Sequence, residues 1–110
     1  MDWSAARAKE IFKEVYGAKV RVTPRTTGYD FEAIAESGKI YAIEAKGTDS
    51  DLLDGRIQLK WHQVLGLAEA RKQGKVPILF VANMKGDYGV FVLEHTLVGG
   101  EEYFRKGELP

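Results

Sequence analysis

The chain has no cysteine. That excludes disulfide staples, thiolate metal sites and a cysteine nucleophile together. Histidine is almost as scarce: His62 and His95 are the whole supply, and two imidazoles alone do not make a zinc site. No charge of either sign predominates, because 16 basic residues balance 16 acidic ones. Proteins that grip duplex nucleic acid usually carry a basic surplus, so any such binding here should be weak and salt-sensitive, or helped by dimerisation or a partner. Long apolar runs are missing too. The longest, over 76–82, is far too short to span a membrane, and the opening Met-Asp-Trp-Ser lacks the apolar core of a secretory leader. These absences predict a cytoplasmic protein, and a cysteine-free composition also suits a hot environment. What remains is 110 residues at 45% hydrophobic, which predicts a single domain over 1–110 with a modest core.

Residues 3–16 read as a helix. Asp2 or Ser4 caps it, Ala8, Ile11, Phe12, Val15 and Tyr16 recur at helical spacing, and Gly17 closes it. A strand follows over 19–23, with Val20 and Val22 inward, and Pro24 ends it. Next comes a loop in which Arg25 offers charge and Thr26 and Thr27 offer hydroxyl donors suited to a backbone phosphate, unless it is a plain polar turn. Strands over 29–35 and 39–46 join as a hairpin through Glu36-Ser37-Gly38. The loop over 47–55 carries Asp49, Asp51 and Asp54 but lacks the glycine and closing glutamate of a calcium loop, and reads as a flap or dimer contact. A second helix is expected over 56–73, with Ile57, Trp61, Val64, Leu65 and Ala68 as its core stripe. The strand over 76–83 is apolar on both faces, as a central strand is, and another follows over 88–94. The tail over 96–110 reads as a short helix packing through Leu97, Val98, Tyr103 and Phe104.

The chemistry concentrates in residues 28–47. Alternation along 39–46 places Ile40, Ala42, Glu44 and Lys46 on one face, with Tyr41, Ile43 and Ala45 on the other. Two charges at the end of an otherwise apolar strand are costly unless they meet a partner or a metal. Closing the hairpin brings Asp30 to the same end. Two carboxylates with the Ala45 carbonyl form a hard oxygen set able to hold Mg²⁺ (or Mn²⁺) that keeps several waters. Such an ion lowers the pKa of a bound water, and Lys46 beside it can orient that water or neutralise a scissile phosphate.

Asp30, thirteen intervening residues and then Glu44-Ala45-Lys46 resemble the signature of the PD-(D/E)xK nuclease superfamily. Helix, strand, hairpin with Glu-x-Lys, long helix and strand also follow in that superfamily's order. Over about residues 4–94 the chain resembles the small archaeal Holliday-junction resolvases. Its Gly-Tyr-Asp and Glu-Ala-Lys-Gly segments are also similar to nuclease-like domains fused within larger proteins. The resemblance implies an α/β fold with a restriction-endonuclease-like αβββαββ core, a mixed central sheet flanked by helices. It implies a Mg²⁺-dependent endodeoxyribonuclease working on DNA as a homodimer, with Asp30, Glu44 and Ala45 on the metal and Lys46 catalytic. Families of this kind place a glutamine about eleven residues before the glycine that closes the second helix, where it helps orient the nucleophile or the metal-bound water; Gln63 has that spacing to Gly74 and would be catalytic in this way, and Gln58 competes for the role. Arg25, Thr27, Arg56 and Lys60 are the candidate nucleic-acid contacts. One position departs from the pattern. The first-helix glutamate expected eleven residues before Gly17 is Ala6, leaving Glu10, one turn later, as a substitute or as an ordinary solvated glutamate.

Three functions fit these residues. The first is a metal-dependent endonuclease of the resolvase type. The second is a catalytically weak or inactive nucleic-acid-binding module of the same fold, which Ala6 and the zero net charge favour. The third is a restriction-like or toxin-like nuclease acting on ordinary duplex. Retention of Asp30, Glu44 and Lys46 favours an active enzyme.

Overall fold

The computed structural model describes residues 3–49, 59–96, 102–106 and 109–110. Expectations placed on Asp51, Asp54, Arg56, Ile57, Gln58, Leu97 and Val98 lie outside the described residues. So do those placed on the side chains of Arg25, His95, Tyr103 and Phe104. Helix α1 (Trp3–Glu14) is followed by strands β1 (Lys19–Val22), β2 (Phe31–Ile34) and β3 (Ile40–Thr48). Helix α2 (Trp61–Lys72) leads to β4 (Val76–Asn83), β5 (Tyr88–Thr96) and β6 (Glu102–Lys106). The strands lie in the order β1-β2-β3-β4-β5-β6. Among the described strands only the central β3–β4 pair is parallel, because α2 carries the chain back across the sheet between them; the other pairs are antiparallel. The expected α/β class with a mixed sheet between helices is therefore what forms.

Alternation along β3 decides which face each helix covers. Ala8, Ile11 and Phe12 of α1 pack with Tyr41, Ile43, Ala45, Ile78 and Phe80 on one face. Leu67 and Ala70 of α2 pack with Ala42 and Leu93 on the other. Strand β4 is buried from Pro77 to Asn83, as a strand covered on both sides must be. Each fully buried phenylalanine in this core (Phe12, Phe31, Phe80) contributes roughly 2–3 kcal/mol of burial. The β2–β3 hairpin closes through Gly38, whose φ of +90° permits the turn that its amide makes to the Ala35 carbonyl. Among the described residues no helix is long and apolar enough to cross a membrane.

Four expectations need correction. In the tail, Glu102–Lys106 is a strand and not a helix: β6 pairs antiparallel with β5, extending the core to αβββαβββ and covering an edge that would otherwise leave a row of backbone groups unpaired. Within the described residues α2 begins only at Trp61. Lys60 is extended (φ −71°, ψ 152°) and has no acceptor with which to cap the helix, so the Gln63 side chain turns back to accept from the Lys60 amide at 2.9 Å. The core stripe of α2 is also displaced. Gly66, Leu67 and Ala70 are buried, whereas Trp61 is 69% exposed and Leu65 is exposed as well. The sheet meets the face centred on Leu67, and the apolar character of the opposite face misled the periodicity. Val22 points outward, 77% exposed, because it ends the edge strand where nothing among the described residues covers it.

Candidate active site

The second half of β3 carries two charged residues, Glu44 and Lys46. The Asp30 amide donates to the Ile43 carbonyl at 2.9 Å, and Asp30 Oδ2 accepts from the Ala45 amide at 2.8 Å. A carboxylate thus continues the β2–β3 ladder one step past the last paired residue. Because the amide and carbonyl of a strand residue face the same neighbour, the Ala45 carbonyl lies along that edge too. Glu44, on the α2 side, is 3% exposed. Its Oε1 accepts from Gln63 Nε2 at 2.8 Å, and Lys46 Nζ lies 3.8 Å from the same oxygen. The structure therefore brings Asp30, Glu44, Ala45, Lys46 and Gln63 together. Gln63 is held at both ends, its oxygen by the Lys60 amide and its nitrogen by Glu44.

The remaining candidates fall elsewhere. Lys60 is exposed at the start of α2. Arg25 and Thr27 belong to a single 3₁₀ turn (Arg25–Thr27) rather than an open loop. The Thr27 hydroxyl faces into that turn, 2.9 Å from the Pro24 carbonyl and 3.2 Å from that of Tyr29, so its proton serves the turn. Glu10 does not take the place left by Ala6: it is exposed on α1 and paired with Arg7 at 2.6 Å. Among the described residues no group of three His, Cys, Asp or Glu side chains forms. As a donor set, two carboxylates and a carbonyl are all hard oxygen, the kind that Mg²⁺ and Mn²⁺ take and complete with water or phosphate oxygens.

A second polar cluster was missed by the sequence reading. Glu32 on β2 is 3% exposed, and its carboxylate accepts from Tyr29 Oη at 2.5 Å, from Lys75 Nζ at 2.8 Å and from the Arg21 guanidinium. It lies at the floor of an open groove of about 700 Å³ between the β1–β2 edge and α2. Burial alone pushes the Glu32 carboxyl up, but the hydrogen bonds from Lys75, Tyr29 and Arg21, with the Lys75 charge, outweigh it and hold it down at about 2. Burial and then the bond to Glu32 push the Tyr29 phenol up. Glu32 therefore carries fewer protons when folded than when unfolded. Its stabilisation is complete above the ordinary value of 4.5 and disappears as pH falls through about 2. The interval corresponds to about 3 kcal/mol. Urea unfolding between pH 7 and pH 2 should show a loss of that order concentrated below pH 4.5; a flat profile there would contradict a charged Glu32 in the folded state.

No protein-family model matches the chain, and no curated protein matches it. Among solved structures the chain is similar to Hjc, a Holliday junction resolvase from the archaeal hyperthermophile Archaeoglobus fulgidus. The superposition has a TM-score of 0.60 and 19% identity, covering 89% of this chain and 86% of that one. The two chains share a fold. That fold fits the resolvase-like architecture expected from the element order.

Proposed function

We propose that this protein is a metal-dependent endonuclease that hydrolyses DNA phosphodiester bonds, in the manner of the PD-(D/E)xK nucleases, with structure-specific substrates of the Holliday-junction type. The observation that carries the reading is the hydrogen-bonded chain from Asp30 through Ala45 and Glu44 to Gln63, with the Lys46 ammonium beside it. The likeness to a resolvase fold supports it. Asp30, Glu44 and the Ala45 carbonyl would hold Mg²⁺ or Mn²⁺, which supplies an acidified water and charge neutralisation. Gln63 fixes the Glu44 carboxylate in one orientation. Lys46 faces the phosphate, where its charge offsets the negative charge that builds as the water oxygen bonds to phosphorus and the leaving oxygen departs. A cytoplasmic homodimer is part of the proposal, because a junction presents two strands to cut; the exposed Trp61 and Leu65 of α2 are among the apolar side chains open to assembly.

One finding favours a second reading, a binding module of the same fold with weak or no catalysis. No third carboxylate joins Asp30 and Glu44 among the described residues, since Glu10 is occupied by Arg7. A cleavage panel in Mg²⁺ and Mn²⁺ on junction, duplex, flap and single-stranded DNA separates the two. Cleavage of any form supports the nuclease, and preference for the junction over duplex supports the resolvase type. Binding in Ca²⁺ without cleavage in either catalytic ion supports the module. In a salt series, anisotropy in Ca²⁺ should show only about three to five phosphate contacts per subunit, each giving a slope near 0.9 in log affinity, from candidates such as Arg25, Lys46, Arg56 and Lys60. Absence of binding to every DNA and RNA form at low salt would end both readings. Sedimentation showing a 12.3 kDa monomer would count against a junction resolvase.

A further inference from the structure

Gly66 lies in the interior of α2, where glycine costs about 1 kcal/mol relative to alanine. The turn glycines Gly17, Gly38, Gly74 and Gly86 have open space where a Cβ would go, but Gly66 does not. A Cβ there would overlap the Thr27 carbonyl oxygen and lie 3.0 Å from the Gly28 Cα. Reciprocally, a Cβ on Gly28 would overlap the His62 carbonyl oxygen and lie 3.2 Å from the Gly66 Cα, and Gly28 has a φ of +84°. The chain segment entering Asp30 therefore crosses α2 backbone against backbone, at a separation that only two glycines allow.

We propose that this Gly28–Gly66 crossing is a positioning device for the candidate active site, an inference that rests on the reading above. Gly28 is two residues before Asp30, and Gly66 is one helical turn after Gln63. The crossing thus sets the spacing between the segment that brings Asp30 to the Ala45 amide and the helix that brings Gln63 to Glu44, each ending in a 2.8 Å hydrogen bond. Displacing α2 by about 1 Å carries the second of these beyond hydrogen-bonding range. Gly28 and Gly66 touch neither carboxylate; they act through Gln63.

Side-chain amide NMR on the full chain tests this without DNA or cleavage, so its outcome is separable from that of the nuclease reading. Three glutamines and Asn83 give four amide pairs, few enough to assign. In the wild type the Gln63 amide protons should resonate away from the free-glutamine position. Gly66→Ala should move them to it while the Asn83 pair stays in place. Thr27→Ala loosens the turn without adding atoms and should give a smaller shift in the same direction; it decides the matter if Gly66→Ala does not fold. An unchanged Gln63 amide in the folded variant overturns the proposal. If the enzyme cleaves, Gly66→Ala and Gln63→Ala should lower the rate by similar factors, with the double variant no slower than either single one. Multiplying losses would overturn the proposal as well.

Discussion

Glu32→Ala should lower the folding stability by about 3 kcal/mol at pH 7, within the range for breaking a buried ion pair by removing one partner. Linkage sets that size. The depressed carboxyl, at about 2 against an ordinary 4.5, corresponds to about 3 kcal/mol by linkage. The substitution also strands one buried phenol and two cations, and the three are not alike. Lys75 is 21% exposed and Arg21 is 51% exposed, so both can turn to water at little cost. Tyr29 has no such exit, because it is buried and its hydroxyl points at the missing carboxylate. Tyr29→Phe should therefore cost about 1 kcal/mol, the net worth of one hydrogen bond. For a chain of this size the Glu32→Ala loss amounts to a melting-temperature drop on the order of 15 °C. The gap between wild type and variant should narrow as pH approaches 2, because the wild-type carboxylate is then partly protonated. Urea unfolding at pH 7 and near pH 2 reads both. A gap below about 1 kcal/mol at pH 7, or one that widens in acid, would show that the cluster contributes no net charge stabilisation.

The same reasoning that located Glu44 would have located Glu32. Both are carboxylates within short apolar strands, and in both cases a buried charge needs partners. For Glu44 the partner was visible two residues away in Lys46. Glu32 draws on Arg21, Tyr29 and Lys75, and Lys75 lies 43 positions along the chain, so only the folded sheet and the start of β4 reveal them. Strand and hairpin positions were legible because period-two alternation and the Gly38 turn are local signals. The burial of α2 was not, because its two faces are similarly apolar and only the docked sheet selects Leu67 and Ala70 over Trp61 and Leu65. The tail failed for a related reason. Whether Glu102–Lys106 becomes helix or strand depends on the free edge of β5, which lies elsewhere in the sequence. Gln63 matched the spacing to Gly74 that the resemblance implied, but its orientation comes from a local bond to the Lys60 amide and a tertiary one to Glu44, and the second needs the folded sheet.

Glu44→Ala and Lys46→Ala should separate ion binding from charge stabilisation at the proposed site. Removing Glu44 takes away one of two carboxylates and leaves Gln63 Nε2 without its acceptor and the Lys46 ammonium without the carboxylate beside it. The ammonium then faces an approaching cation uncompensated. Mn²⁺ binding measured by calorimetry should therefore disappear along with cleavage. Lys46→Ala should act differently. The ammonium lies 3.8 Å from Glu44 Oε1, so deleting it removes a positive charge from beside a carboxylate proposed to hold the metal. Mn²⁺ affinity should be unchanged or slightly higher. Cleavage should nonetheless fall by on the order of 10²–10³, the scale for losing one group that stabilises developing charge in the transition state. Loss of metal affinity in one variant and its retention in the other, from two residues on one strand, are hard to obtain by general destabilisation, which would lower both. Wild-type Mn²⁺ affinity in Glu44→Ala would sink the metal assignment. Full cleavage in Lys46→Ala would remove the ammonium from the mechanism, and a parallel loss of Mn²⁺ binding in that variant would mean that Lys46 instead maintains the shape of the site.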